Sequence, residues 1–181
     1  MTKPETEQLL LMLIDVQGKL AEVVDRRERL YDRLSRLIRG LRALQAPVLW
    51  VEQNPQRMGP TIQIVRELLH NLTPLSKMSF SCCADADCMS AIESSGRRQV
   101  VLAGIETHVC IYQTARDLLA GGYAVYVAED AVSSRDPDDK QYALQSLAAA
   151  GAGITTVERL LFELIGTAEH PAFREILQIV K

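Results

Sequence analysis

A run of six apolar residues, Leu9 to Ile14, breaks off at Asp15, and it constrains the fold more than any other feature of the chain. A stretch of strand length with no polar position has no face to give to water. It suits a parallel strand covered by helices on both sides. Residues 27–44 follow, with Leu30, Leu34, Leu37, Ile38, Leu41 and Leu44 at three- and four-residue spacing. That spacing predicts an amphipathic helix. Strand-like segments recur at 46–53, just before Lys77, at 99–105 and at 123–132. Helical patterns fill 61–72, 84–96, 107–122 and 136–153, with Gly96 as a stop and Pro137 near a first turn. The stretch "ITTVERLLFEL" starts extended and turns helical, and 170–180 reads as a last short helix. Strands separated by helices imply right-handed βαβ units. The expectation is one α/β domain over residues 1–181. It has three layers: a mostly parallel sheet of about six strands and helices on both faces.

Composition narrows the function. A chain of 181 residues holds one sizeable core. Its net charge of −3 supplies no electrostatic footprint for nucleic acid or an anionic membrane. The arginines of "DRRERLYDRLSRLIRGLR" are mixed with acids at the start and read as a solvated helix face. No apolar run approaches bilayer-spanning length. The N-terminal "MTKPETEQ" is polar and unlike a signal peptide, so the expected location is cytoplasmic. Without a secretory signal, Cys82, Cys83, Cys88 and Cys110 are not a disulfide framework. Their spacing is not that of a zinc site, and His70, His108 and His170 are scattered, so no metal is expected.

In folds of this kind ligands bind outside the carboxyl ends of the strands. Those ends carry Asp15 and Gln17, then Glu52 and Gln53, then Lys77, then Gly104 with Cys110 six residues on, and then Glu129 and Asp130. The turn after the first strand, "DVQGKLAEV", lacks the G-x-G-x-x-G of dinucleotide sites, and no phosphate loop occurs, so no cofactor is expected. Thr107 is placed to cap a helix starting at His108, which would aim the helix N-terminus at Cys110 and favour its thiolate. Taken alone, Cys110 reads more readily as a small buried hydrophobe. Asp15 reads as a turn residue and Lys77 as a solvated lysine. Together they fit one mechanism: a carboxylate takes a thiol proton while an ammonium keeps the carboxylate ionised. His108 lies beside Cys110 in sequence, but neighbours on a helix do not face each other. Cys82, Cys83 and Cys88 read as packing of a helix start.

The stretches "LLLMLIDVQ", "SKMSFS" and "VLAGIETHVCIYQTARDLLAGGYAVYVAEDAVSSR" resemble the isochorismatase-like cysteine hydrolases, in order and over almost the whole chain. The stretches "EQNPQRMGPT" and "HPAFREI" are most like the isochorismatase domain-containing members. The resemblance implies Asp15 as general acid/base, Lys77 as the central lysine and Cys110 as nucleophile. It also implies a cis peptide at Ile105–Glu106, and an oxyanion hole formed by the backbone N–H groups of Glu106 and Cys110. Gln17 and Phe80 are pocket candidates by position. True isochorismatases carry aspartate where this chain has Cys110. Nicotinamidases carry metal-binding histidines where this chain has "VEQNPQRMGP". Neither activity is expected. The implied activity is hydrolysis of a small amide, carbamoyl or ester bond, probed with small-molecule substrates, in a protein that forms homo-oligomers. The rival readings are a non-catalytic oligomeric scaffold and a thiol redox sensor using Cys110.

Overall fold

The computed structural model describes residues 2–181. Six strands form one sheet: β1 (Leu9–Ile14), β2 (Val48–Gln53), β3 (Leu75–Lys77), β4 (Gln99–Ile105), β5 (Ala124–Ser133) and β6 (Gly153–Thr155). Their order is β3-β2-β1-β4-β5-β6, and every pairing of neighbours is parallel. The sheet is thus wholly parallel rather than mostly so. The order runs outward in opposite directions from β1, which places a crevice between the carboxyl ends of β1 and β4.

Every residue of β1 is buried, and the strand's two faces serve different layers. Leu9, Leu11 and Leu13 pack with helices α1 (Gly18–Val23), α2 (Arg27–Ala43) and α4 (Gln63–Leu68). The same layer holds α8 (Val157–Ile165) and α9 (Phe173–Val180). Leu10, Met12 and Ile14 pack with α5 (Ala86–Ser94), α6 (Tyr112–Ala120) and α7 (Pro137–Ala149). A short helix, α3 (Pro55–Met58), follows β2. The alternation that a strand imposes on its side chains therefore distributes one apolar run between two cores.

Local chemistry sets the helix starts. Asp85 Oδ1 accepts from the Cys88 N–H at 3.0 Å and caps α5. Asp136 Oδ1 accepts from the Asp138 N–H at 2.9 Å and caps α7, with Pro137 at the first helical position. In α2, Leu30, Leu34, Leu37, Ile38 and Leu41 all face the core.

Two differences from the sequence reading bear on the site. The fifth strand does not end at Glu129 and Asp130. It bulges, so that Leu102 pairs with Val127 but Gly104 pairs with Val132, and it continues to Ser133. The bulge diverts Asp130 to structural work: Oδ1 accepts from the Val157 N–H at 2.9 Å, and Oδ2 lies 3.5 Å from Arg33. Glu129 is exposed. Glu52 is likewise structural, because its Oε1 accepts from both the N–H and the hydroxyl of Thr61 at 2.7 Å.

Leu37 is wholly buried in the α2 layer. Leu37→Ala is expected to cost about 2–5 kcal/mol of unfolding free energy, read from the urea midpoint.

Candidate active site

The carboxyl edge of the sheet brings three distant residues to one place. Register pairs Ile14 with both Val51 and Gly104, and Gln53 with Lys77. Asp15 follows β1 directly and adopts a left-handed backbone, φ 57°. Its N–H is held by the Val51 carbonyl at 3.1 Å, and its own carbonyl accepts from the Gln17 N–H at 2.8 Å. This conformation costs a non-glycine residue on the order of 1–3 kcal/mol and turns the chain sharply off the strand.

Lys77, the last residue of β3, donates from Nζ to Asp15 Oδ2 at 2.8 Å. It also donates to Gln53 Oε1 at 2.6 Å and to the Ser79 carbonyl at 3.2 Å. The two charged side chains are almost wholly removed from water, Lys77 0% and Asp15 3% exposed. A buried ammonium with three acceptors is satisfied, and a buried carboxylate is made tolerable by it. Asp15 Oδ1 has no hydrogen-bond partner among the described residues. Gln53 completes the arrangement by donating its Nε2 to the Met78 carbonyl at 2.9 Å, which fixes the amide's orientation. The sequence placed Gln53 on the rim without a role. Its pairing register with Lys77, visible only in the sheet, supplies one.

Cys110 arrives from β4. At Gly104 the backbone has φ 122°, and a Cβ there would stand 2.0 Å from the Ile14 carbonyl oxygen. Only glycine permits this approach of β4 to the end of β1. The Ile105–Glu106 peptide that follows is cis. The chain then makes a wide π turn, Thr107–Ile111, before entering α6. The Glu106 carbonyl accepts from the Val109 N–H at 3.2 Å and the Ile111 N–H at 3.3 Å.

This local geometry corrects the expected cap. Thr107 does not cap the helix: it is buried, and its hydroxyl has no hydrogen-bond partner among the described residues. The expected thiolate is corrected with it. Burial pushes the Cys110 thiol up, the Asp15 carboxylate adds to that, and the Lys77 ammonium only partly opposes both. The balance leans towards thiol over thiolate. Burial also pushes the Asp15 carboxyl above its ordinary range, against the pull of Lys77. Burial opposes the Lys77 charge, but Asp15 and Cys110 outweigh it and hold the amine as ammonium.

The two pocket candidates differ in their surroundings. Gln17 is fully buried. Its Nε2 donates to the carbonyls of Gly59 (2.7 Å) and Gln53 (3.2 Å), and its Oε1 accepts from the Gln53 N–H (2.7 Å). The amide is wholly engaged in tying the β1 turn to the end of β2, so it presents no free group to a ligand. Phe80 is 54% exposed on the segment after Lys77 and is not a core residue. Cys82 and Cys88 are buried in the α5–α7 layer, and burial pushes the Cys83 thiol up to about 12. His108 turns away from Cys110: Nδ1 meets Ser134 Oγ at 2.9 Å and Nε2 lies 3.6 Å from Asp139. His170 accepts the Ala172 N–H at 3.1 Å. Among the described residues, no group of three or more His, Cys, Asp or Glu is arranged to hold a metal ion, and no helix is long and apolar enough to cross a membrane.

Sheet order and rim chemistry define a class: a three-layer α/β protein with a buried acid–amine pair and a cysteine at the crevice beside its central strand. A family model described as Isochorismatase domain matches residues 9–159, and the chain belongs to that family. Isochorismatase domain-containing protein 1 of Salmo salar is 42% identical over 146 residues, 81% of this chain and 51% of its own length. The chain thus spans about half the length of that relative. Isochorismatase domain-containing protein 2 of Bos taurus is 39% identical over 172 residues, 95% of this chain and 82% of its own. A solved structure of the MAR1 ribonuclease from Caenorhabditis elegans superposes with a TM-score of 0.92 at 33% identity, covering 99% of this chain and 92% of that one.

The upward push on the Cys110 thiol has a spectroscopic consequence. The ultraviolet thiolate absorbance that disappears in Cys110→Ala is expected to develop only above pH about 8.5, the range of an unassisted cysteine or higher. A signal already present at neutral pH would restore the helix-start picture.

Proposed function

We propose that this protein is a cysteine-dependent hydrolase that cleaves a small amide, carbamoyl or ester bond through a thioester. The observation that carries the reading is the buried Lys77–Asp15 contact at 2.8 Å, joined by Cys110 closely enough that each group alters the others' proton affinity. A buried ion pair built for stability alone has no need of a third, protonated nucleophile beside it.

The chemistry follows from the charges. Asp15 is the base. As the Cys110 proton moves to Asp15, negative charge passes from carboxylate to sulfur while Lys77 stays cationic. One ammonium therefore stabilises the site before and after transfer. Sulfur attacks the substrate carbonyl, and the developing oxyanion is received by the N–H groups of Glu106 and Cys110. The π turn supports this role for Cys110, because the Glu106 carbonyl is taken by its neighbours Val109 and Ile111. Collapse of the intermediate expels an amine or alcohol, which takes the proton from Asp15. Water, deprotonated by Asp15, then hydrolyses the thioester. A scaffold or a redox sensor on this fold would need neither the acid nor the amine beside the sulfur.

A panel of small amides and carbamoyl compounds, scored by ammonia release, tests the proposal. Cys110→Ala is expected to abolish turnover with the fold intact by circular dichroism, and Asp15→Asn to lower it by about 10³-fold or more. Full turnover in Cys110→Ala on a genuine substrate would end the reading.

The pH profile has a definite sign. Asp15 must be ionised to act as base, and its pKa is raised. Activity is therefore lost as pH falls through a value above the ordinary aspartate range near ~4. An acid limb at or below that value in kcat/KM would contradict the assignment of Asp15.

A further inference from the structure

Glu106 occupies an unusual junction. The ladder between β4 and β5 ends where Ile105 pairs with Ser133. Beyond it the two chains part, one into the π turn that carries Cys110 and the other through Ser134 and Arg135 towards α7. The Glu106 carboxylate bridges them: its Oε1 accepts from both the backbone N–H and the Nε of Arg135, each at 3.0 Å. The partners are unequal. The Glu106 side chain is 8% exposed and the Arg135 side chain 62%. A surface pair would leave both in water, whereas here the acid is drawn under and the arginine reaches in to meet it.

Three groups of Glu106 thus work at once. Its side chain is fastened to the β5–α7 loop, its carbonyl holds the Val109 and Ile111 N–H groups of the π turn, and its own N–H belongs to the cis peptide that ends β4. The loop that anchors it is itself tied down. Ser133 Oγ donates to the Asp25 carbonyl at 2.7 Å, the Asp25 N–H donates to the Ser134 carbonyl at 2.9 Å, and Ser134 Oγ meets His108 Nδ1.

We propose that Arg135 is a positioning residue: through the bond from its Nε to Glu106 Oε1 it holds the oxyanion-binding backbone at the geometry the tetrahedral intermediate needs. The inference rests on the cysteine hydrolase reading above. Oxyanion donors act only when held within a few tenths of an ångström of the developing charge. The π turn hangs on the Glu106 carbonyl, so a brace on the Glu106 side chain bears on the whole turn.

Two reagents separate positioning from mere folding. p-Nitrophenyl acetate acylates a thiol. Sulfur adds to the carbonyl carbon, the oxygen becomes an oxyanion, the intermediate expels p-nitrophenolate, and the thiol proton passes to Asp15. Iodoacetamide alkylates the same sulfur by displacing iodide at a saturated carbon, with no oxyanion. In Arg135→Ala the p-nitrophenolate burst rate is expected to fall ~10-fold or more, a part of the ~10²–10³ that a whole oxyanion donor carries. The alkylation rate of Cys110, followed by mass spectrometry, is expected to hold. Arg135→Lys restores part of the burst rate, and the isosteric Glu106→Gln lowers it less than Arg135→Ala while preserving the fold. Equal losses with both reagents, or no loss of burst rate in Arg135→Ala, overturn the positioning role and leave the hydrolase reading standing. A burst that survives Cys110→Ala overturns both.

Discussion

The ion pair between Lys77 and Asp15 governs this site because neither charge has an alternative. Both side chains lie beneath the rim with almost no access to water. Removing one partner from such a pair costs about 3–5 kcal/mol, because the survivor is left buried and unbalanced. The surrounding structure is arranged to keep both. β2 and β3 pair in a register that sets Gln53 against Lys77, and the Gln53 amide takes a second ammonium hydrogen. Gln17, two residues past Asp15, is bound to the backbone of Gln53 and Gly59. The acid, the amine and the amide are therefore mounted on one rigid unit made of three strand ends.

The other half of the site is built from backbone. Gly104 lets β4 close on the Ile14 carbonyl where any side chain would collide. The cis peptide and π turn then bring Cys110 to the crevice without a regular helix start. Without that helix start, little offsets the burial of the sulfur. Burial and the neighbouring carboxylate both push the Cys110 thiol up, and in the proposed mechanism nucleophilicity arises by proton transfer to Asp15. The same arrangement protects the sulfur at rest, since the thiolate and not the thiol is the reactive form.

The bulge in β5 shows how the scaffold gives similar acids different partners. Asp15, Glu52 and Asp130 all stand at or near strand ends and look alike in the sequence. Glu52 is taken by Thr61, and Asp130 by Arg33 and the start of α8. Asp15 alone of the three meets a lysine and a cysteine. Similar residues at similar positions acquire different roles according to which neighbour the fold brings to them.

The layers are legible in the order of residues alone, because a wholly apolar β1 and the spacing of leucines in α2 admit few arrangements other than a covered parallel sheet. Motif order also pointed to Asp15, Lys77 and Cys110, which have distinctive chemistry at strand ends. The contacts of Gln53, the engagement of Gln17, the uncapped Thr107 and the upward push on the Cys110 thiol emerge only in the folded molecule. Each depends on inter-strand register, on backbone shape after Gly104, or on depth below the surface. Those quantities arise from contacts between residues far apart in the chain, and no local pattern encodes them.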